Sequence, residues 1–255
     1  MKKSVIIIVI LLFINPFIYS QIIIPTQSLL PNRTILESTF NIFYSSVNGT
    51  AFIINGTKGQ YLVTAKHIFG NAVKPDTFVD ILIKGGKIEK KLSCKVYYHD
   101  NPHVDIAVLK LDTAIILGET LLLGKRSSYY LAQECLFLGY PLLNLGTKTD
   151  IGKVPFIKRA IISAFHEENK VNLMLLDGHN NPGFSGGPVI TYSESMDKQF
   201  IIGIISGYIP QPQSVNVTYG TVKNQLLINE NSGIIISYPS EYIEEILNKI
   251  ESSLK

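Results

Sequence analysis

The sequence predicts an all-β fold, and three observations carry that prediction. Its apolar segments are short, Gly, Pro and Asn separate them, and a less patterned stretch from Asp112 to Ala132 divides them into two sets. With 46% hydrophobic and 17% charged residues the chain has ample material for a packed core, the reverse of a disordered composition. Trp is absent, but 12 Phe and 13 Tyr supply large core side chains.

The strand candidates begin with Phe40 to Tyr44. Gly49 to Ile54 and Gln60 to Thr64 flank the turn residues Asn55 to Gly59, which is a hairpin signal. Phe78 to Ile83, Lys87 to Tyr98 and Ile106 to Leu111 complete the first set. The second set holds Glu134 to Gly139, Phe156 to Ser163, Leu173 to Leu176, Pro188 to Ile190, Phe200 to Ile205 and Gly233 to Ser237. Between the last two, Tyr208 to Ser232 reads as a long irregular loop, of the kind that either gates a site or merely decorates the surface. Only the C-terminus reads as helix. Ser240 follows Pro239 as a candidate N-cap, with Glu241, Glu244 and Glu245 near the positive end of the dipole. Ile243, Ile246, Leu247, Ile250 and Leu254 share one face, a stripe that packs on the body.

The N-terminus reads as an export signal. Lys2 and Lys3 precede an unbroken apolar run from Val5 to Ile14, Asn15 and Pro16 stop it, and Ser20 offers a small residue for cleavage before Gln21. The rival reading is a retained anchor, since Ile22 to Ile24 resume the apolar character, but the unbroken run is shorter than the about 20 apolar residues that spanning takes, so no stable membrane span is expected after cleavage. The net charge is +3; without Lys2 and Lys3, 21 basic residues face 20 acidic ones. A body so nearly neutral gives no electrostatic case for nucleic acid as a partner. Cys94 and Cys135 each fall in a predicted strand, where a buried free thiol and a single bridge are both compatible with an oxidising compartment. The sequons at Asn32, Asn48, Asn55 and Asn216 matter only if the chain enters a eukaryotic secretory pathway.

Chemistry concentrates at Asn181-Pro-Gly-Phe-Ser-Gly-Gly-Pro188. A serine hydroxyl is a poor nucleophile until a base takes its proton and the backbone fixes its pose. Gly183, Gly186 and Gly187 permit a tight path around Ser185, able to turn the Gly183 and Ser185 amides toward one spot where an oxyanion would be held. His67 ends the apolar run Tyr61-Leu-Val-Thr-Ala-Lys-His, which suits an imidazole at a strand edge. Asp105 opens the apolar run Ile106 to Leu109, where a partly buried carboxylate can accept a hydrogen bond from imidazole. Each residue alone is weak evidence. Asp100, crowded with His99 and His103, is an alternative acid but lacks the apolar strand that follows Asp105. The scattered histidines, with His166 between two predicted strands, have no Cys or acid at ligand spacing, so neither metal nor other cofactor is expected.

Together these segments resemble a known family. Leu62-Val-Thr-Ala-Lys-His67, Asp105-Ile-Ala-Val-Leu109 and Gly183-Phe-Ser-Gly-Gly-Pro188 look like the three triad motifs of trypsin/chymotrypsin-like serine proteases, in that family's order. Gly49-Thr-Ala-Phe-Ile-Ile54, Leu136-Phe-Leu-Gly-Tyr-Pro141 and Ile202-Gly-Ile-Ile-Ser-Gly207 fit in register, and Asp177 with Asn181-Pro182-Gly183 looks most like the bacterial Deg-type branch. The resemblance covers roughly residues 40 to 240. It implies two packed six-stranded β-barrels of the chymotrypsin type, with a C-terminal helix. The expected organisation is a signal at 1–20, an extension at 21–39, a protease domain at 40–240 with barrels near 40–118 and 125–238, and a helix at 240–254. The resemblance also implies a polypeptide substrate, Ser185 as nucleophile, His67 as base and Asp105 as its orienting acid. The Gly183 and Ser185 amides become the oxyanion hole, while Ser206 and Gly207 pair with the substrate backbone and His179 lies near the floor of the specificity pocket. Phe184 is a departure. It stands where trypsins carry the acid that pairs with a newly cut N-terminus, so activation by that route is not expected, and its bulk threatens to reshape the site. An esterase and a catalytically silent relative use the same residues. An α/β-hydrolase is disfavoured because its triad runs in a different order.

Overall fold

The structure is a computed structural model, and it describes residues 30–116, 118–141, 147–193, 197–219 and 222–254. The expected export signal lies outside the described residues. After a short helix α1 (Arg33–Glu37), strands β1 (Thr39–Tyr44), β2 (Val47–Gly56), β3 (Gly59–Thr64), β4 (Phe78–Gly85), β5 (Ile88–Tyr98) and β6 (Ala107–Lys110) close a six-stranded barrel in the order β1-β2-β3-β6-β5-β4. Alternation builds its interior: Phe40 and Ile42, Ala51 and Ile53, and Ile81 and Ile83 point inward from their strands. Strand β4 buries every second residue, as expected of a wall with one wet face. Strand β2 instead buries six in a row, Gly49 to Ile54, because its outer face meets the second half of the chain.

That half begins with β7 (Leu122–Leu123) and β8 (Glu134–Gly139), followed by a small hairpin of β9 (Thr147–Thr149) and β10 (Gly152–Val154). Strands β11 (Phe156–Glu168), β12 (Val171–Asp177), β13 (Pro188–Ser193), β14 (Lys198–Tyr219) and β15 (Val222–Pro239) complete it. The sheet runs β13-β8-β11-β12-β15-β14, and pairing of β13 with β14 closes the circuit as a second set of six, with β7 added parallel to β14. Phe137, Ile162, Met174, Leu176, Val189, Ile202 and Ile235 fill it. The expected fold is therefore the observed one.

Several local expectations change. Where a loop was expected, residues 208–219 and 222–232 pair as a two-stranded ribbon, with register continuing from Pro210 opposite Asn231 to Tyr219 opposite Val222. The ribbon accommodates Pro210 and Pro212, since a proline on a ribbon edge costs no ladder bond when its nitrogen faces away from the partner. His166 lies within β11 opposite Leu173, not between strands. Ser240 precedes α2 (Glu241–Ser253) but does not cap it through its side chain, because its hydroxyl donates to the Gly124 carbonyl at 2.7 Å. The apolar stripe of α2 is buried as expected, at Ile243, Ile246, Leu247 and Ile250, and the helix packs on β5, β6 and β15.

Cys94 in the first barrel and Cys135 in the second are both free and buried. Burial pushes their thiols up to about 11 and about 12 respectively, which leaves neither nucleophilic near neutral pH. No helix among the described residues is long and apolar enough to cross a membrane.

Candidate active site

Strand pairing brings His67 and Asp105 together. Thr64, which ends β3, pairs with Ala107, which begins β6, so the residues just beyond each partner meet. His67 sits on the 3-10 turn Lys66–Phe69 and Asp105 two residues before β6. The Asp105 carboxylate accepts three hydrogen bonds: His67 N–H to Oδ1 at 2.8 Å, His67 Nδ1 to Oδ2 at 2.7 Å and Ser206 Oγ to Oδ2 at 2.5 Å. Because an ionised carboxylate only accepts, Nδ1 carries the ring proton and the Nε2 lone pair of the neutral imidazole is left free. The hydrogen bond to Asp105 raises the His67 pKa above 6.5; burial opposes the shift and the carboxylate charge adds to it. The loop leading into Asp105 is tied down twice. Lys66 Nζ donates to the Pro102 carbonyl at 2.6 Å, and the Tyr238 hydroxyl to the His103 carbonyl at 2.9 Å.

Ser185 belongs to the turn between β12 and β13. Within that turn the Phe184, Gly186 and Gly187 amides are engaged, donating to Asn181, Ile205 and Phe184 carbonyls at 3.2, 2.7 and 2.8 Å. The Gly183 and Ser185 amides take no part in this pattern. Gly183 at φ +102° and Gly186 at φ +85° adopt backbone that a side chain would resist. Thr50 in the first barrel grips the turn from the far side: its amide donates to the Ser185 carbonyl at 2.8 Å, and its hydroxyl to the Gly183 carbonyl at 2.7 Å. Thr50 also accepts from Thr64 Oγ1 at 2.7 Å, through its carbonyl, and from the Tyr140 amide at 2.9 Å, through its hydroxyl. The Ser185 turn of one barrel is thus anchored to the strands that lead to His67 in the other.

The Ser185 hydroxyl donates to the Ser206 carbonyl at 2.9 Å, and among the described residues it makes no hydrogen bond with His67. A bulge between Ile205 and Gly207 lifts Ser206 out of register with β15, so its hydroxyl meets Asp105 while its carbonyl meets Ser185. One residue touches two of the three candidate side chains.

Residues 49–196, more than half the chain, match the family description of the trypsin-like peptidase domain. The chain belongs to that family. It is 30% identical to Protease Do-like 8, chloroplastic, of Arabidopsis thaliana over 153 residues, which cover 56% of this chain and 32% of that protein. It therefore spans about a third of the length of the curated relative it matches. Among solved structures, the HtrA-type protease AlgW with tripeptide aligns at a TM-score of 0.56 and 20% identity, covering 85% of this chain and 61% of the other. The serine endoprotease from Yersinia pestis aligns at 0.57 and 19% identity, covering 88% and 68%. The family match makes the chain a trypsin-like peptidase, and the relative it resembles is a Do-like protease, while the two structures bear on fold alone.

Within this trypsin-like peptidase, Phe184 does not crowd the cleft as its bulk suggests. Its side chain is fully buried in the second barrel, edge-on to Phe137 with ring centroids 5.2 Å apart. Gly139 makes room for it, since a Cβ there would lie 2.5 Å from the ring. His179 is exposed, and its backbone carbonyl, not its ring, is engaged, by Lys158 Nζ at 2.6 Å. Gly207 faces open space, with nothing within 4 Å of an added Cβ. Asp100 is drawn away from the site into an ion pair with Lys249 of α2. Among the described residues no group of His, Cys, Asp or Glu is arranged to hold a metal.

Thr50 and the hydroxyl of Ser206 are the contributors that sequence reasoning missed. Both lie in segments that fit the family register, but a lone hydroxyl in an apolar strand carries no signal of its partner.

Proposed function

We propose that the chain is an exported serine endopeptidase that hydrolyses peptide bonds through an acyl-enzyme, with Ser185, His67 and Asp105 as its triad. The observation that carries this reading is the 2.7 Å bond from His67 Nδ1 to Asp105 Oδ2, which leaves Nε2 as the open base. For the reaction the Ser185 hydroxyl leaves the Ser206 carbonyl for that nitrogen. Ser185 Oγ then attacks the scissile carbonyl as its proton passes to Nε2, and the Gly183 and Ser185 amides receive the oxyanion. His67 returns the proton to the departing amine as the C–N bond breaks, and water repeats the sequence on the acyl-enzyme. Substrate pairs with the β14 edge at Ser206 and Gly207, where the bulge frees the backbone. His179, exposed before the nucleophile turn, is the candidate for reading a substrate side chain.

A fluorophosphonate probe tests the reading. Folded wild type is expected to label, and Ser185→Ala to lose all labelling. The engagement of the Ser185 hydroxyl by Ser206, away from His67, favours a second reading, in which the chain is a silent relative that binds polypeptides without cutting them. Well-folded wild type that refuses the probe decides for that one. Comparing ester with peptide turnover separates a protease from an esterase. Export rests on the basic start and the apolar run Val5 to Ile14, and N-terminal sequencing of mature protein is expected to begin near Gln21. A mature chain that still carries Lys2 and Lys3 would count against signal removal.

A further inference from the structure

We propose that Lys158 is a positioning residue that holds the nucleophile turn in the form in which the Gly183 amide faces a substrate oxyanion; this rests on the protease reading above. Lys158 stands on β11 opposite Phe137, pointing at the segment that leads into Ser185. An ammonium has three N–H donors, and here three partners surround it. Nζ donates to the His179 carbonyl at 2.6 Å and to Asn181 Oδ1 at 2.5 Å, and it lies 5.2 Å from the Phe184 ring centroid, within cation–π range. All three belong to one stretch of six residues ending just before the nucleophile. Partial burial lowers the Lys158 pKa.

Gly183 lies inside that stretch, and its conformation has no source of its own. With φ at +102° and no side chain, it populates alternative backbone wells as readily as the one it occupies. Its direction is set by what grips its neighbours. Downstream, Thr50 Oγ1 holds the Gly183 carbonyl, and the Phe184 amide closes on the Asn181 carbonyl. Upstream, the peptide that presents the Gly183 amide follows Asn181 and Pro182, and Asn181 is held through its side chain by Lys158. Release of that grip leaves the stretch before Gly183 held only through backbone carbonyls, Asn180 by Asn231 Nδ2 and Asn181 by the Phe184 amide, and so less able to keep the Gly183 amide turned to the cleft. Because the clamp comes from a strand of the same barrel, it forms as soon as the barrel does and requires no cleavage of the chain.

The test compares wild type with Lys158→Met, which preserves the stem but removes the charge and donors, and with Lys158→Arg, which restores both. Steady-state hydrolysis of p-nitrophenyl acetate is read alongside thermal melting. Lys158→Met is expected to lose about 100-fold in kcat, the scale of a displacement near 1 Å at a reacting centre, while folded and with KM within about twofold of wild type. Lys158→Arg is expected to recover most of that loss. A purely structural role would not split kcat from KM in this way. Folded Lys158→Met that retains kcat within about threefold overturns the inference. If Lys158→Met does not fold, Asn181→Leu, which deletes the clamped acceptor, carries the same test with the same two outcomes. Wild type that neither labels with fluorophosphonate nor turns over the ester overturns the protease reading and this inference with it; wild type that does both, beside fully active variants, overturns the clamp alone.

Discussion

Asp105→Asn is expected to lower kcat on a peptide substrate by about four orders of magnitude while leaving the protein folded. The carboxylate accepts from the His67 amide, the His67 ring and the Ser206 hydroxyl. An asparagine side chain is nearly the same shape but offers only one acceptor oxygen. If that oxygen stays with the His67 amide, the NH2 group faces His67 Nδ1 and Ser206, whose hydroxyl can reverse and accept. The ring must then present a lone pair at Nδ1 and carry its proton on Nε2, the tautomer that cannot take a proton from Ser185. Geometry survives and the base is lost.

The pH profile of the same variant checks the cause. Under the proposed mechanism activity needs neutral imidazole, so it rises with pH through the His67 pKa, which lies above 6.5 in wild type. Asparagine removes the hydrogen bond to the carboxylate and its charge, leaving burial, which lowers the value, so the residual activity should rise at lower pH than in wild type. Stability follows the opposite limb. A folded-state pKa raised above the unfolded one stabilises the fold fully below the unfolded value and ceases to do so as pH rises through the folded value. The melting difference between wild type and variant should therefore shrink on passing from weakly acid to alkaline solution. A variant that keeps wild-type kcat, or whose pH limb does not move acidward, would show that Asp105 does not orient the base.

The parts of this protein that local sequence dictates were legible without coordinates. His67 and Asp105 could be picked out because each sits where an apolar strand starts or stops, and the pairing of Thr64 with Ala107 turns those two chain positions into one place. The Ser185 turn announced itself through glycines whose φ values of +102° and +85° indeed exclude other residues at low cost. What stayed hidden depends on partners distant in sequence. Thr50 reaches Gly183 across 133 positions, and nothing around Thr50 marks its hydroxyl as different from that of a threonine facing solvent. Ser206 is expected to meet substrate through its backbone; that its hydroxyl meets Asp105 depends on a bulge that sequence does not reveal. Phe184 read as an intruder because its direction was unknown; Gly139, 45 positions earlier, opens the core to it. The ribbon from Tyr208 to Ser232 was missed for the converse reason, since two prolines and several polar residues hid a pairing that its own backbone completes.

Gly186→Ala should destabilise the protein by about 3–5 kcal/mol, combining left-handed strain with overpacking. At φ +85° a side chain is strained before it touches anything. An added Cβ would then lie 2.1 Å from the Thr50 carbonyl oxygen, 2.3 Å from Thr64 Oγ1 and 2.8 Å from the Ala65 nitrogen. None of these is the free end of a flexible side chain. The Thr50 carbonyl and Thr64 hydroxyl are bonded to each other at 2.7 Å, and the Gly186 amide is itself committed to the Ile205 carbonyl at 2.7 Å, so relief requires parting the first barrel from the second. At this chain length the loss corresponds to a fall in Tm of roughly 10 °C, read by thermal melting. Activity should fall further than stability, because Thr50 and Thr64 lie between Ser185 and His67 and any parting there separates them. Gly207→Ala is the control. It has an ordinary backbone and nothing within 4 Å of the new Cβ, so its stability should stay within about 0.5 kcal/mol of wild type. Equal melting of the two variants would mean that the seam at Gly186 yields, and that close contact between the barrels is not what holds the Ser185 turn in place.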